Sequence, residues 1–162
     1  MEEEKRMSAI DLQAFRQTHE QLAQAIEGLD ERQLKEKEAP GKWSVTEVLA
    51  HLADHSIVVS FRIRDILADT EAGLPRFDQD RWVSGQHGNE EEAAEHLAAF
   101  AALLRANARL LERLDAGELA KRGITFKGDP IDLRGIVDGF VRHVGTHLAQ
   151  IARIRRAVEA VR

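Results

Sequence analysis

The sequence predicts an all-α four-helix bundle. Three observations carry that prediction. Four long segments repeat apolar residues at alternating spacings of three and four, very little of the chain alternates as a strand would, and Pro40-Gly41 and Gly88-Asn89 fall between periodic segments as breakers. A long helix with one apolar stripe must bury it, and four such stripes satisfy one another by closing into a bundle. With 162 residues, the chain is expected to form a single domain over 1–162, with a core that needs neither disulfides nor structural zinc.

The first helix is expected from about Ser8 to Leu29. It opens on Ser8-Ala-Ile-Asp11 as a capping box and sets Leu12, Phe15, His19, Leu22, Ile26 and Leu29 inward. After Pro40-Gly41, Ser44-Val-Thr-Glu47 supplies a second capping signal for a helix from Val45 to about Ala68, with Val45, Val48, Leu49, Leu52, Val59, Ile63 and Ile66 as its stripe. A third helix follows Gly88-Asn89 with acidic residues in its first turn. It carries Leu97, Phe100, Leu104, Leu111 and Leu114 and is expected to stop at Gly117. The fourth starts at Asp132 or Leu133 and runs to Val161 on a stripe of Leu133, Ile136, Val137, Phe140, Val144, Ile151, Ile154, Val158 and Val161.

The connections from Thr70 to Gly88 (helices two to three) and from Ala116 to Ile131 (three to four) are longer than a tight helix hairpin needs. Loops of this kind build pocket walls. The first contains Leu74-Pro-Arg-Phe-Asp-Gln-Asp-Arg-Trp82, which sets a large ring beside several charges. The second, Gly123-Ile-Thr-Phe-Lys-Gly-Asp-Pro130, is expected to pair as a short hairpin.

The chain has no cysteine, which excludes thiol nucleophiles, thiolate metal sites and iron–sulfur clusters. No apolar run approaches the ~18 residues of a membrane span, and Met1-Glu-Glu-Glu-Lys-Arg6 leads into no signal-like segment, so a cytoplasmic location and no membrane partner are expected. A net charge of -5 argues against nucleic-acid binding. Arg153, Arg155, Arg156 and Arg162 cluster near the last helix end, where cations favour the negative pole of the helix dipole.

Within the fourth helix, His143-Val-Gly-Thr-His147 sets two imidazoles four residues apart, about 40° apart around the axis, on the side that carries the apolar stripe. Each buried neutral ring has one donor and one acceptor to satisfy. Hydrogen bonds to backbone carbonyls or carboxylates would do so, and so would a divalent metal held by one nitrogen of each ring. The metal reading needs a third ligand. His51 and His55 share a side of the second helix, and periodicity places His55 nearer the centre of its stripe. His19 is a further candidate on the first helix, while solvent exposure accounts for His87 and His96.

Gly41-Lys-Trp-Ser-Val-Thr-Glu-Val-Leu-Ala-His-Leu52, followed some ninety residues later by His143-x3-His147 and Gln150-Ile151, resembles the DinB-like superfamily, which includes the YfiT-type metal-dependent proteins. The short Asp78-Gln-Asp-Arg-Trp82 segment also looks like its relatives' loop. The resemblance implies a bundle holding one divalent ion, nickel or zinc, on His51, His143 and His147, and so takes His51 over His55. His55 then stands as a nearby base or fourth ligand. Glu47 or Asp54 could accept a hydrogen bond from a ligand ring, although the capping box accounts for Glu47 more simply. Arg62 and Trp82 are candidate pocket residues, Arg62 for an anionic small-molecule substrate, with a surface ion pair as its plainer role.

Three neutral ligands leave coordination positions open and a net positive charge, the arrangement of catalytic rather than structural zinc. The family includes bacillithiol- and mycothiol-dependent transferases and isomerases, so resemblance implies S-transfer from a low-molecular-weight thiol cosubstrate. Metal-dependent hydrolysis is the alternative, and a non-catalytic stress-response or dimerisation module is a third. Long loops bearing a tryptophan favour an enzyme over a bare metal-binding module. A di-iron carboxylate centre fails, because neither the second nor the fourth helix carries Glu-x2-His. Apolar surface beyond the core would support a homodimer, which the helical pattern does not separate from core packing.

Overall fold

The computed structural model describes residues 10–70 and 73–160. Four long helices dominate these residues: α1 (Leu12–Ile26), α3 (Val45–Leu67), α5 (Ala93–Glu112) and α7 (Leu133–Ala160). Three short helices, α2 (Glu31–Lys35), α4 (Gln79–Gly85) and α6 (Ala116–Leu119), and an antiparallel hairpin of β1 (Arg122–Ile124) and β2 (Pro130–Asp132) fill the connections. The architecture is a four-helix bundle. No described helix is long and apolar enough to cross a membrane.

The bundle closes as a ring in which α1 packs on α5 and α7, and α3 packs on the same two helices. Helices α1 and α3, neighbours among the long helices in sequence, therefore sit on opposite corners, with α2 in the link between them. The core they enclose includes Phe15, Leu22, Leu49, Ile63, Phe100, Leu104, Phe140, Ile151 and Ile154. Two aromatic contacts tie α1, α5 and α7 together at Phe140, whose ring lies 4.9 Å from that of Phe15 and 5.8 Å from that of Phe100.

Local chemistry sets the element ends. Of the first helix, Ser8 lies outside the described residues, and Asp11 caps α1 by accepting from the Ala14 N–H at 2.9 Å. The helix ends at Ile26, short of Leu29, because Gly28 takes a left-handed φ of 83° and Asp30 then begins α2 with its own capping box. Helix α3 starts as expected. Ser44 Oγ accepts from the Glu47 N–H, and Glu47 Oε1 accepts from the Ser44 N–H, both at 3.1 Å.

The expected stop of the third helix at Gly117 is corrected by the structure. Helix α5 ends at Glu112, and Gly117 lies inside α6, because Asp115 and Glu118 cap each other's backbone N–H at 2.8 Å and restart the chain on a new axis. Helix α7 begins at Leu133, with Asp132 accepting from the Gly135 N–H at 2.7 Å. Val161, the last residue of its expected stripe, lies outside the described residues.

The expected hairpin forms, and it leans on α3. A Cβ at Gly123 would meet Ile66 Cγ1 at 2.8 Å, so only glycine permits this approach. The Leu74 N–H donates to the Ile124 carbonyl at 2.8 Å. Hairpin and loop thus close together over α3 and α7.

Candidate metal centre

Because α3 packs on α7, His51 of the first faces His143 and His147 of the second. The Nε2 atoms of His51 and His147 each lie 3.1 Å from His143 Nε2, and the three nitrogens fall within 4.8 Å of one another. His51 is fully buried. Its ring lies 5.1 Å from that of Trp43, and Phe77 stacks over it at 6.3 Å and 16°. Helix α3 is buried at every residue from Val45 to Asp54, and this explains why a single stripe misjudged the two histidines. Where neighbours cover a helix all round, the stripe centre no longer selects the residue that faces a given partner.

The residues present fit a divalent ion. His147 Nδ1 donates to Gln150 Oε1 at 2.7 Å, which leaves the lone pair of its Nε2 aimed into the cluster. One shared proton cannot satisfy three convergent nitrogens, whereas a cation accepts all three lone pairs. The 3.1 Å separations also suit nitrogens that share one zinc at ~2.0–2.1 Å. Burial keeps the rings neutral, as ligands must be. Desolvation, reinforced by the neighbouring imidazoles, pushes His51 down to about 3 and His143 to about 4. Burial also lowers His147, with the Gln150 hydrogen bond opposing it.

The other sequence candidates take different places. His55 lies one turn beyond His51, its ring centroid 3.9 Å from that of His143 and its face stacked on Phe140. It stands beside the three-nitrogen cluster without joining it, and burial pushes it down to about 2. His19 is corrected from core to half-buried. It faces a groove between α1 and α5 with Arg16, Leu104 and Arg105, since the residue that α1 buries there is Thr18.

Neither carboxylate considered as a partner for a ligand ring takes that role. Glu47 holds the α3 cap and pairs with Lys37 at 3.2 Å, while Asp54 accepts from Gln86 Nε2 at 2.7 Å. Gln150 supplies the acceptor instead. Its place one turn after His147 was the available signal. Trp82 packs edge-on against Phe77 with centroids 5.0 Å apart, so it supports the ring that covers His51. Phe77 and Trp43 themselves carried no sequence signal beyond their place in the motifs.

A cavity of about 260 Å³ runs from the cluster toward the hairpin. Arg62, Leu74, Phe126, Ile136 and Phe140 line it, with His55 and His143 in its wall. Replacing Gln150 with leucine should weaken metal affinity roughly 10–100-fold by freeing the His147 ring. A chelator competition against zinc checks this, and the fold should be unchanged by circular dichroism because Gln150 is not part of the buried core.

A family model of the DinB superfamily matches residues 14–151. Among curated proteins, the chain is 26% identical over 62 residues to a "Putative metal-dependent hydrolase" of Oceanobacillus iheyensis, covering 38% of this chain and 36% of that one. It is 30% identical over 70 residues to a protein of the same description from Geobacillus thermodenitrificans, covering 43% and 39%. The matched region thus spans little more than a third of either relative. Among solved structures, YfiT from Bacillus subtilis, described as a probable metal-dependent hydrolase with an unusual four-helix bundle topology, superposes with a TM-score of 0.81 at 23% identity over 90% of this chain and 83% of that one. A mycothiol-dependent maleylpyruvate isomerase superposes with a TM-score of 0.70 at 12% identity, over 86% of this chain and 58% of that one. These likenesses establish the shared fold.

Proposed function

Since this chain belongs to the DinB superfamily, we propose that it is a divalent-metal-dependent enzyme that uses a low-molecular-weight thiol as nucleophile toward a small-molecule electrophile. His51, His143 and His147 would hold one nickel or zinc ion, and the approach of His51 Nε2 and His147 Nε2 to 3.1 Å from His143 Nε2 carries the reading. When bound, the ion supplies the Lewis acidity that turns a thiol into thiolate, or water into hydroxide, near neutral pH.

The protein's own residues do the rest. Gln150 holds the proton on His147 Nδ1 and so fixes that ring's orientation. Trp43 and Phe77 shield His51 from bulk water. The cavity beside His143 provides an apolar space in which an electrophile can be oriented.

The choice of thiol over water rests on which bases are at hand. Hydrolytic zinc sites commonly add a carboxylate base, and the two carboxylates of α3 nearest His51 are engaged elsewhere, Glu47 in the cap and Asp54 with Gln86. A free thiol is already far more acidic than water, so once bound it depends less on such a base. Hydrolysis is the second reading, favoured by the descriptions of the curated relatives.

The test is conjugation of a model electrophile by bacillithiol or mycothiol on metal-loaded protein. The expected result is an acceleration that chelation removes. Metal-dependent cleavage of an ester or amide without thiol acceleration would establish the hydrolase instead, and neither activity would leave a metal-binding module.

A further inference from the structure

Arg62 lies on the same face of α3 as His55 and Val59, and all three line the 260 Å³ cavity that reaches His143. Its guanidinium is only partly used. Nη2 donates to the Pro75 carbonyl at 3.2 Å, while Nε is buried with no hydrogen-bond partner. None of the ion pairs among the described residues includes it. The plainer role of a surface ion pair is thus not what the described residues give it.

A guanidinium stays charged in a protein, and with no carboxylate partner among the described residues its charge is uncompensated, so the cavity it lines is set to receive an anion. The acids at the outer side of Arg62 are otherwise placed. Asp78 caps α4 and pairs with Arg81 at 3.5 Å, and Asp80 is exposed in the first turn of that helix. Arg76 stands at the same mouth, 5.7 Å from the ring of Phe126.

We propose that the cavity takes a small carboxylate with an apolar body, its carboxylate on Arg62, its body against Val59, Ile136 and Phe140, and its far end beside His143. One guanidinium matches the single charge of a carboxylate and the planar geometry of its two oxygens. The volume lies just under the ~300–1,000 Å³ of drug-sized pockets, which sets the ligand as small. What the far end meets rests on the metal reading, whereas the grip on the carboxylate does not.

Hexanoate, hexanol and hexylamine are the probes, titrated by calorimetry into metal-loaded and chelator-stripped protein. Hexanoate alone should bind, with affinities in the two forms within a few-fold. R62Q should weaken it roughly 10–100-fold with metal content unchanged, and R62K, which keeps the charge but not the planar fork, should recover only part of that loss. Amide shifts on Val59, Thr125 and Ile136 of the unmodified protein locate the site even if R62Q fails to fold. The proposal is overturned if hexanoate does not bind, if R62Q binds it equally, if hexanol binds as tightly, or if binding requires the metal, since the carboxylate would then sit on the ion. Binding to stripped protein keeps this result separate from failure of the metal reading.

Discussion

His143→Ala is expected to abolish stoichiometric binding of a divalent ion and to leave a folded bundle. His143 Nε2 is the vertex of the cluster, 3.1 Å from both other ligand atoms, so its removal leaves two nitrogens with nothing between them. The loss in affinity exceeds the ~10–100-fold expected for an outer-layer partner such as Gln150. Metal at about 100 times its dissociation constant should stabilise the unmodified protein by about 2.7 kcal/mol, a rise of about 5–10 °C in melting temperature for a chain of this size. H143A should show no such rise, while its chelated form melts within a few degrees of the chelated parent. The fold survives because His143 already has a buried Nδ1 without a partner, so truncation also relieves an unsatisfied group. A metal-dependent rise in the variant equal to that of the parent would contradict the assignment.

Acidification should unfold the metal-stripped protein early. His51, His55 and His143 are held neutral down to about 3, 2 and 4 by burial, against about 6.5 for the exposed ring in an unfolded chain. Between those values the unfolded chain binds more protons than the folded one, so stability falls as pH falls. It is fully present above about pH 6.5 and is lost progressively toward pH 4. The combined effect is several kcal/mol, a large part of the 5–15 kcal/mol typical of a domain, so the stripped protein should denature within that window.

H55F tests the cause directly. Phenylalanine fills the stack between His143 and Phe140 and cannot take up a proton, so the pH dependence of urea midpoints should flatten. A slope unchanged by H55F, or stability that rises on acidification, would refute the electrostatic account.

The parts of the fold legible in the sequence are those set by local chemistry. The reciprocal cap of Ser44 and Glu47, the start of α7 at Leu133 and the Gly123–Pro130 hairpin each depend on a few adjacent residues, and each appears where expected. Gly117 misled because a glycine is a stop only if nothing restarts the chain, and Asp115 with Glu118 does so. His19 misled because spacing does not reveal which of two adjacent positions α1 turns inward, and Thr18 takes that place.

At the candidate site, the His143 and His147 pair was legible from spacing. The preference for His51 came only from family resemblance, since the covering of α3 on all sides from Val45 to Asp54 is a tertiary fact. The roles of Gln150, Phe77 and Trp43 depend on rings brought together from α3, α7 and the loop before α4, which no periodicity encodes.

The central claim is that three histidines from two packed helices hold one ion. Its most direct test is equilibrium dialysis of chelator-stripped protein against zinc or nickel, followed by elemental analysis and X-ray absorption at the metal edge. About one ion per chain is expected, with a shell that includes histidine nitrogens at ~2.0–2.1 Å for zinc, lost in H51A and retained in H55A. An ion bound equally well by H51A, or no ion bound by the parent protein, would contradict it.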